Sequence, residues 1–113
     1  MRKINSLNWD AVERIDKWLD ATVADSYHGQ PLAQDWARVA KVTEEVGEAI
    51  DALIGCTGQN PRKGFYGSED ELLNELADVA WTAILAIQHF TKDTGVTDTV
   101  LADRLARING RVS

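Results

Sequence analysis

An apolar stripe within residues 31–55 restricts the fold of this chain more than any other feature of its sequence. The stripe residues follow one another at alternating steps of four and three, which is the spacing of a heptad repeat on one face of an α-helix. Such a repeat is typical of the seam of a helix bundle, so we expect helices that pack side by side. The stripe consists of Leu32, Trp36, Val39, Thr43, Val46, Ile50 and Leu53.

Three further helices are predicted from periodicity and end signals. The first covers about residues 8–24. The third begins after Ser68, an N-cap residue that forms a capping-box pattern with Glu71, and ends near residue 91. The fourth covers about residues 97–111. Because no segment shows the period-two alternation of a half-buried strand, we predict an all-α fold, a bundle of about four helices.

The composition excludes several classes of protein. The 113 residues form one predicted domain, and a formal net charge of −6 disfavours binding of a nucleic-acid polymer. Cys56 is the single cysteine, so no intrachain disulfide is possible. The longest apolar segment, residues 76–87, is too short to cross a membrane, and residues 1–15 lack the apolar centre of a signal peptide. We therefore expect a cytoplasmic protein with no membrane contact.

Asp78 is unusual because it lies in this apolar segment. A helix that is apolar on nearly all sides is expected to be buried, and a buried carboxylate needs a partner. Glu75 lies three residues earlier and shares a polar strip with Glu71 and Thr82. The sequence therefore predicts that Glu75 and Asp78 face a partner group inside the bundle.

A second pair of carboxylates lies on the helix that carries the stripe. Glu45 falls at the edge of the stripe beside two alanines, and Glu48 lies one turn later on the same flank, whereas Glu44 and Asp51 fall on the solvent side. If the two long helices pack together, the two pairs converge.

Four like charges in one site need a counter-charge, and Mg²⁺ or Mn²⁺ prefers oxygen ligands. The alternative is an ordinary solvated acidic face. We favour metal ligation because the apolar setting of Asp78 has no simple structural explanation. The predicted ligands are Glu45, Glu48, Glu75 and Asp78.

The segments "EEVGEAIDAL" and "ELADV" resemble the E-E-x-x-E … E-x-x-D pattern of the MazG-like nucleoside triphosphate pyrophosphohydrolases, within the all-α NTP pyrophosphatase superfamily. The resemblance covers about residues 31–111. It implies a bundle that forms a homodimer or homotetramer, with active sites near the subunit interface. It also implies Mg²⁺-dependent hydrolysis of an NTP or dNTP to the monophosphate and pyrophosphate, with Mn²⁺ as a substitute, for nucleotide-pool housekeeping.

The resemblance also implies roles for individual residues. By position, the four predicted ligands match the metal ligands of the family, and Glu44 matches an acid that assists them. Glu45 or Glu48 is the expected general base, and the sequence does not separate the two. The C-terminal "RINGRV" is similar to the Asn and basic residue that often follow in this family, which makes Asn109 and Arg111 candidates for phosphate contact.

Other substrate contacts have equally simple structural alternatives. Arg62 and Lys63, in the glycine-rich loop of residues 55–67, either cover the phosphates or belong to a flexible surface turn. Lys41 either contacts phosphate or pairs with Glu45 along the helix, and we favour the pairing. Trp36 and Trp81 either stack on a base or pack in the core, the role we favour for both.

Two other functions remain open at this point. One is a non-catalytic helical dimer that senses a nucleotide. The other is a small bundle that binds a partner protein, and an exposed apolar seam or a basic patch would favour it. A complete set of four acids favours the enzyme.

Overall fold

The computed structural model describes residues 7–24 and 31–112, and within them every regular element is a helix. Four helices follow one another along the chain, so the all-α prediction is confirmed. Their bounds are α1 Trp9–Ala24, α2 Pro31–Thr57, α3 Glu69–Thr91 and α4 Thr94–Gly110. None of them is long and apolar enough to cross a membrane.

The start of α4 lies three residues earlier than predicted because Asp93 caps it. Asp93 has an extended backbone, and its Oδ1 accepts hydrogen bonds from the N–H groups of Gly95 at 2.8 Å and Val96 at 3.2 Å. The predicted cap of α3 is confirmed, since Ser68 Oγ accepts from the Glu71 N–H at 3.2 Å. Both caps satisfy backbone donors that a first helical turn leaves without partners.

The central unit of the fold is the pair of long helices α2 and α3, joined by residues 58–68. The covered face of α2 runs through Arg38, Val42, Glu45, Ala49 and Ala52, which also repeat at steps of four and three. The alanines let the backbones approach closely, and the two charged residues are thereby carried into the contact.

The apolar stripe of α2 lies on the other side of the helix and is not covered within the chain. Trp36 is 77% exposed, Ile50 51% and Leu53 41%. The expectation that Trp36 packs in the core is therefore wrong for the single chain, because its position belongs to the stripe rather than to the face that meets α3.

The expectation that Asp78 is buried is also wrong. Asp78 is exposed, and its neighbours Trp81 and Thr82 are only half-buried. The reason is that only one side of this part of α3 packs against α2, and Thr82 faces an open cavity between α1, α2 and α3. The fully covered part of α3 is its C-terminal end, at Ala86, Gln88 and His89.

Helix α1 is held against this end of α3 by charged groups. We call them the α1 ion cluster. At its centre Arg38 donates to Asp16 Oδ1 at 2.8 Å, to Asp20 Oδ1 at 3.1 Å and to the Leu85 carbonyl at 2.8 Å. Arg38 is 7% exposed and Asp16 only 2%. The cluster consists of Asp16, Asp20, Asp35, Arg38, His89 and Lys92.

His89 and Lys92 make the other contacts of the cluster. His89 contacts Asp20 through Nδ1 at 3.1 Å and Asp35 through Nε2 at 2.7 Å. Lys92 donates to Asp16 Oδ2 at 2.9 Å and also to Asp20. Burial alone raises the pKa of Asp20, but the Lys92 hydrogen bond and the nearby cations outweigh it and place the pKa below 3.8. Charged contacts therefore fix α1 in place, since Val12 is the one fully buried apolar side chain among residues 9–22.

Candidate metal and phosphate site

Three of the four predicted metal ligands lie together where α2 and α3 pack. Glu45, Glu48 and Glu75 each offer a carboxylate oxygen, and these oxygens lie within 4.8 Å of one another. Glu45 is 9% exposed because it belongs to the covered face of α2. Oxygens on opposite sides of one Mg²⁺ are about 4.2 Å apart, so the three groups are close to ligand spacing. We call Glu45, Glu48 and Glu75 the acidic trio.

One oxygen of the acidic trio lacks a partner. Glu75 Oε2 is buried and accepts no hydrogen bond from any described residue. A buried carboxylate oxygen without a donor or cation is costly, and two neighbouring carboxylates increase the cost. A divalent cation would remove both penalties, so the donor set and the orphaned oxygen fit a hard metal ion.

Asp78, the fourth predicted ligand, lies outside the trio and is exposed. Glu44 is exposed as well, with 63% of its side chain accessible, and pairs with Lys41 at 3.4 Å. Lys41 also pairs with Glu45 at 3.6 Å, so the predicted helical partnership is confirmed. The Glu44 hydrogen bond and the two carboxylate charges raise the pKa of Lys41 although desolvation opposes them. Lys41 therefore partly neutralises one edge of the site.

Glu48 and Glu75 of the trio line a cleft of about 520 Å³, which we call the acidic cleft. Several of its wall residues were not predicted as site residues. Asp51 continues the i, i+3 series of Glu48, and Asn74 precedes Glu75 on α3, so both positions were visible in the sequence. The walls consist of Glu44, Gly47, Glu48, Asp51, Ala52, Tyr66, Glu71, Asn74 and Glu75.

Tyr66 is the aromatic residue in the wall of the acidic cleft. Its hydroxyl donates to Asp51 Oδ1 at 2.9 Å, and its backbone N–H donates to the Gly55 carbonyl at 2.9 Å. The hydrogen bond to Asp51 is the main reason why the pKa of Tyr66 lies above its usual value. Lys63 Nζ lies 5.7 Å from the centre of the Tyr66 ring, within cation–π range.

A second cavity, of about 580 Å³, lies beside the acidic cleft, and Glu44 lines both. Its walls come from α1, α2 and α3 and are mainly apolar. Its polar wall residues are Arg38, Lys41, Glu44 and Thr82. Ile15, Leu19, Ala37, Ala40 and Leu85 supply most of the apolar surface.

The other predicted substrate residues are more widely spread. Arg62 and Lys63 are exposed in the loop between α2 and α3, and Asn109 and Arg111 lie at the C-terminal end of α4. None of these four residues lines the acidic cleft. Trp36 and Trp81 line neither the cleft nor the apolar cavity. Trp36 instead forms a shallow depression with Asp35, Val39 and Phe90.

Asp16, Asp20 and His89 of the α1 ion cluster also have ligand spacing. Arg38 and Lys92 already neutralise these carboxylates, so this group needs no metal ion. The sequence-based reasoning missed the cluster, although Asp16 lies one turn after Val12 on the buried side of α1.

Comparison of the chain with protein-family models, with curated proteins and with solved structures gives no match.

Proposed function

We propose that the protein is a Mg²⁺-dependent nucleoside triphosphate pyrophosphohydrolase that converts an NTP or dNTP to the monophosphate and pyrophosphate. The observation that carries this proposal is the convergence of Glu45, Glu48 and Glu75 around an oxygen that lacks a donor, at the base of an open cleft. The sequence resemblance to the MazG-like enzymes supports the same reaction, and Mn²⁺ is an expected substitute.

The acidic trio would hold the metal ion. Bound Mg²⁺ supplies positive charge that offsets the triphosphate and lowers the pKa of water. Glu48 is the better candidate for general base because it is exposed to the cleft, whereas Glu45 is covered and paired with Lys41. A carboxylate in this position accepts a proton from water as the oxygen attacks the α-phosphorus, and pyrophosphate leaves.

The apolar cavity beside Glu44 is the proposed place of the nucleoside. Its apolar walls suit a base, and its junction with the acidic cleft allows the phosphates to reach the trio. This assignment replaces Trp36 and Trp81 as the proposed base pocket. Thr82, Lys41 and Glu44 are polar wall residues that would contact the base or sugar there, whereas Arg38 is already paired with Asp16 and Asp20.

We also propose that the chain forms a homodimer or homotetramer through the apolar stripe of α2. Six of the seven stripe residues are large apolar side chains, and each of them is at least 41% exposed. A continuous exposed apolar strip of this kind is typical of a surface that another chain covers. Light scattering at micromolar concentration should give a dimer or larger, and Ile50→Glu should shift it towards monomer. Ala102→Glu, the same added charge at an exposed site of α4, is the control.

The decisive experiment is a panel of NTPs and dNTPs with Mg²⁺ or Mn²⁺, in which pyrophosphate and monophosphate are both measured. Glu75→Gln should abolish turnover, and Asp98→Asn, which removes an exposed acid on α4, should leave it unchanged. Diphosphate and orthophosphate as the only products would contradict the assigned bond. No turnover with any nucleotide would remove the proposal.

The exposed stripe also favours one alternative, a helical bundle that binds a different protein. The oligomeric state and the turnover of nucleotides distinguish the two functions. A partner-binding bundle should stay monomeric on its own and hydrolyse no nucleotide, whereas the enzyme should self-associate and hydrolyse nucleotides.

A further inference from the structure

We propose that Lys63, held over the ring of Tyr66 at the rim of the acidic cleft, binds the terminal phosphates of the substrate, and that Tyr66 is its positioning residue. This inference rests on the proposed function and assigns distinct roles to two neighbouring basic residues, Lys63 and Arg62.

Tyr66 is fixed on three sides. Its hydroxyl is bonded to Asp51, its N–H is bonded to the Gly55 carbonyl, and its ring lies against the Cα of Gly55. An ideal Cβ on Gly55 would lie 2.5 Å from the ring, so only glycine permits this contact. The ring is therefore a rigid platform in the wall of the cleft.

The backbone that carries Lys63 is also constrained. The N–H groups of Lys63 and Gly64 donate to the Asn60 carbonyl at 3.1 and 2.9 Å. Gly64 and Gly67 have φ values of 67° and 75°, which residues with a Cβ rarely adopt. The loop thus returns to the cleft at Tyr66 with Lys63 beside the ring.

Lys63 keeps its charge available for a ligand. Its ammonium lies over the ring and forms no ion pair with a described residue, whereas Lys41 is paired with Glu44 and Glu45. Tyr66 is the aromatic residue in the wall of the cleft, so phosphates that extend from the trio along this wall approach the ammonium over its ring. A lysine in this position can bind the phosphates while it forms no ion pair with the carboxylates of the acidic trio.

Arg62 provides a matched control. It is adjacent in sequence, equally exposed and equally charged, but its guanidinium contacts neither the ring nor any described carboxylate. If only the charge of the loop mattered, Lys63 and Arg62 would contribute equally to the affinity for phosphate. If the position of the charge matters, only Lys63 contributes strongly to this affinity.

The test measures binding of pyrophosphate to the full chain in the presence of Mg²⁺ by calorimetry. Lys63→Gln should weaken binding about tenfold, the loss expected for one charged hydrogen bond, whereas Arg62→Gln should change it less than about twofold. Tyr66→Leu should match Lys63→Gln, and the double variant should be no weaker than either single variant. Tyr66→Phe, which retains the ring, should lose less. Thermal melting and the Mg²⁺-induced shift in Tm check that each variant folds and retains its metal site.

Equal losses for Arg62→Gln and Lys63→Gln, additive losses in the double variant, or no pyrophosphate binding by the original chain would overturn the inference. The outcome is separable from the proposed function. Binding with the expected pattern but no turnover of any nucleotide would overturn the enzyme and retain the anion site. Turnover with unchanged KM in Lys63→Gln would overturn the anion site alone.

Discussion

Arg38 of α2 and Asp16 of α1 form an ion pair of 2.8 Å in which the side chains are 8% and 2% exposed. Removing one partner of such a pair leaves the other charge buried, which typically costs about 3–5 kcal/mol. Arg38 keeps its bonds to Asp20 and to the Leu85 carbonyl, so we expect Asp16→Asn to lower the free energy of unfolding by about 3 kcal/mol, the lower end of this range. Chemical denaturation measures it.

The control for this prediction is a pair on the surface of the same helix. Glu13 and Lys17 are 2.9 Å apart, but their side chains are 50% and 74% exposed. Glu13→Gln should cost at most about 0.5 kcal/mol. Similar losses in the two variants would show that the cluster around Arg38 does not fix α1.

The pH dependence of stability follows from the same cluster. The pKa of Asp20 lies below 3.8, so its contribution is complete above that pH and is lost as pH falls through the lowered value. Burial alone lowers the pKa of Lys92, but its bonds to Asp20 and Asp16 raise it above 10.5. The contribution of Lys92 is therefore complete below pH 10.5 and is lost above it. In a plot of the free energy of unfolding against pH, Asp20→Asn should reduce the fall at acid pH. Near neutral pH the free energy of unfolding of the variant should still not vary with pH.

Metal binding should stabilise the original chain and not the Glu75→Gln variant. Because Glu75→Gln removes one of three repelling charges, the apo variant should melt at the same temperature as the original or higher. Mg²⁺ should raise the Tm of the original by mass action and that of the variant much less. Asp98→Asn should respond to Mg²⁺ as the original does. An equal Mg²⁺ shift in Glu75→Gln would contradict ligation by the trio.

The Asp78→Asn variant tests whether Asp78, the fourth predicted metal ligand, has a structural or a catalytic role. Because Asp78 is exposed, the substitution should leave the free energy of unfolding of the apo protein unchanged. If Asp78 completes the metal site when substrate and partner subunit are present, turnover should still be lost. Unchanged turnover would exclude it from the site.

Two glycines of α2 should respond to alanine in opposite directions. A Cβ on Gly55 would lie 2.3 Å from the Tyr66 carbonyl oxygen, so Gly55→Ala should cost about 1–3 kcal/mol through forced backbone movement. A Cβ on Gly47 meets nothing within 4 Å, so Gly47→Ala should gain about 0.5–1 kcal/mol from helix propensity. Thermal or chemical denaturation of both variants tests the prediction.

Local signals in the sequence predicted the helices well, because caps and periodicity act within a few residues. The face that α2 presents to α3 was not predictable, since the heptad stripe is more apolar than the covered face with Arg38, Glu45 and Ala49. The convergence of Glu45, Glu48 and Glu75 followed from i, i+3 spacing and small neighbours. The contacts of Tyr66 were not predictable, because they depend on how the intervening loop folds back.

Lys92 connects the end of one helix to the docking of another. It ends α3 in the left-handed conformation, with φ 55° and its N–H bonded to the Gln88 carbonyl, while its ammonium reaches Asp16, 76 residues earlier in the chain. Helix ends depend on neighbouring residues and form far sooner than contacts between residues that are distant in the sequence. The first helix of the chain is therefore expected to be the last to settle on the fold, after the C-terminal end of α3 has taken its shape.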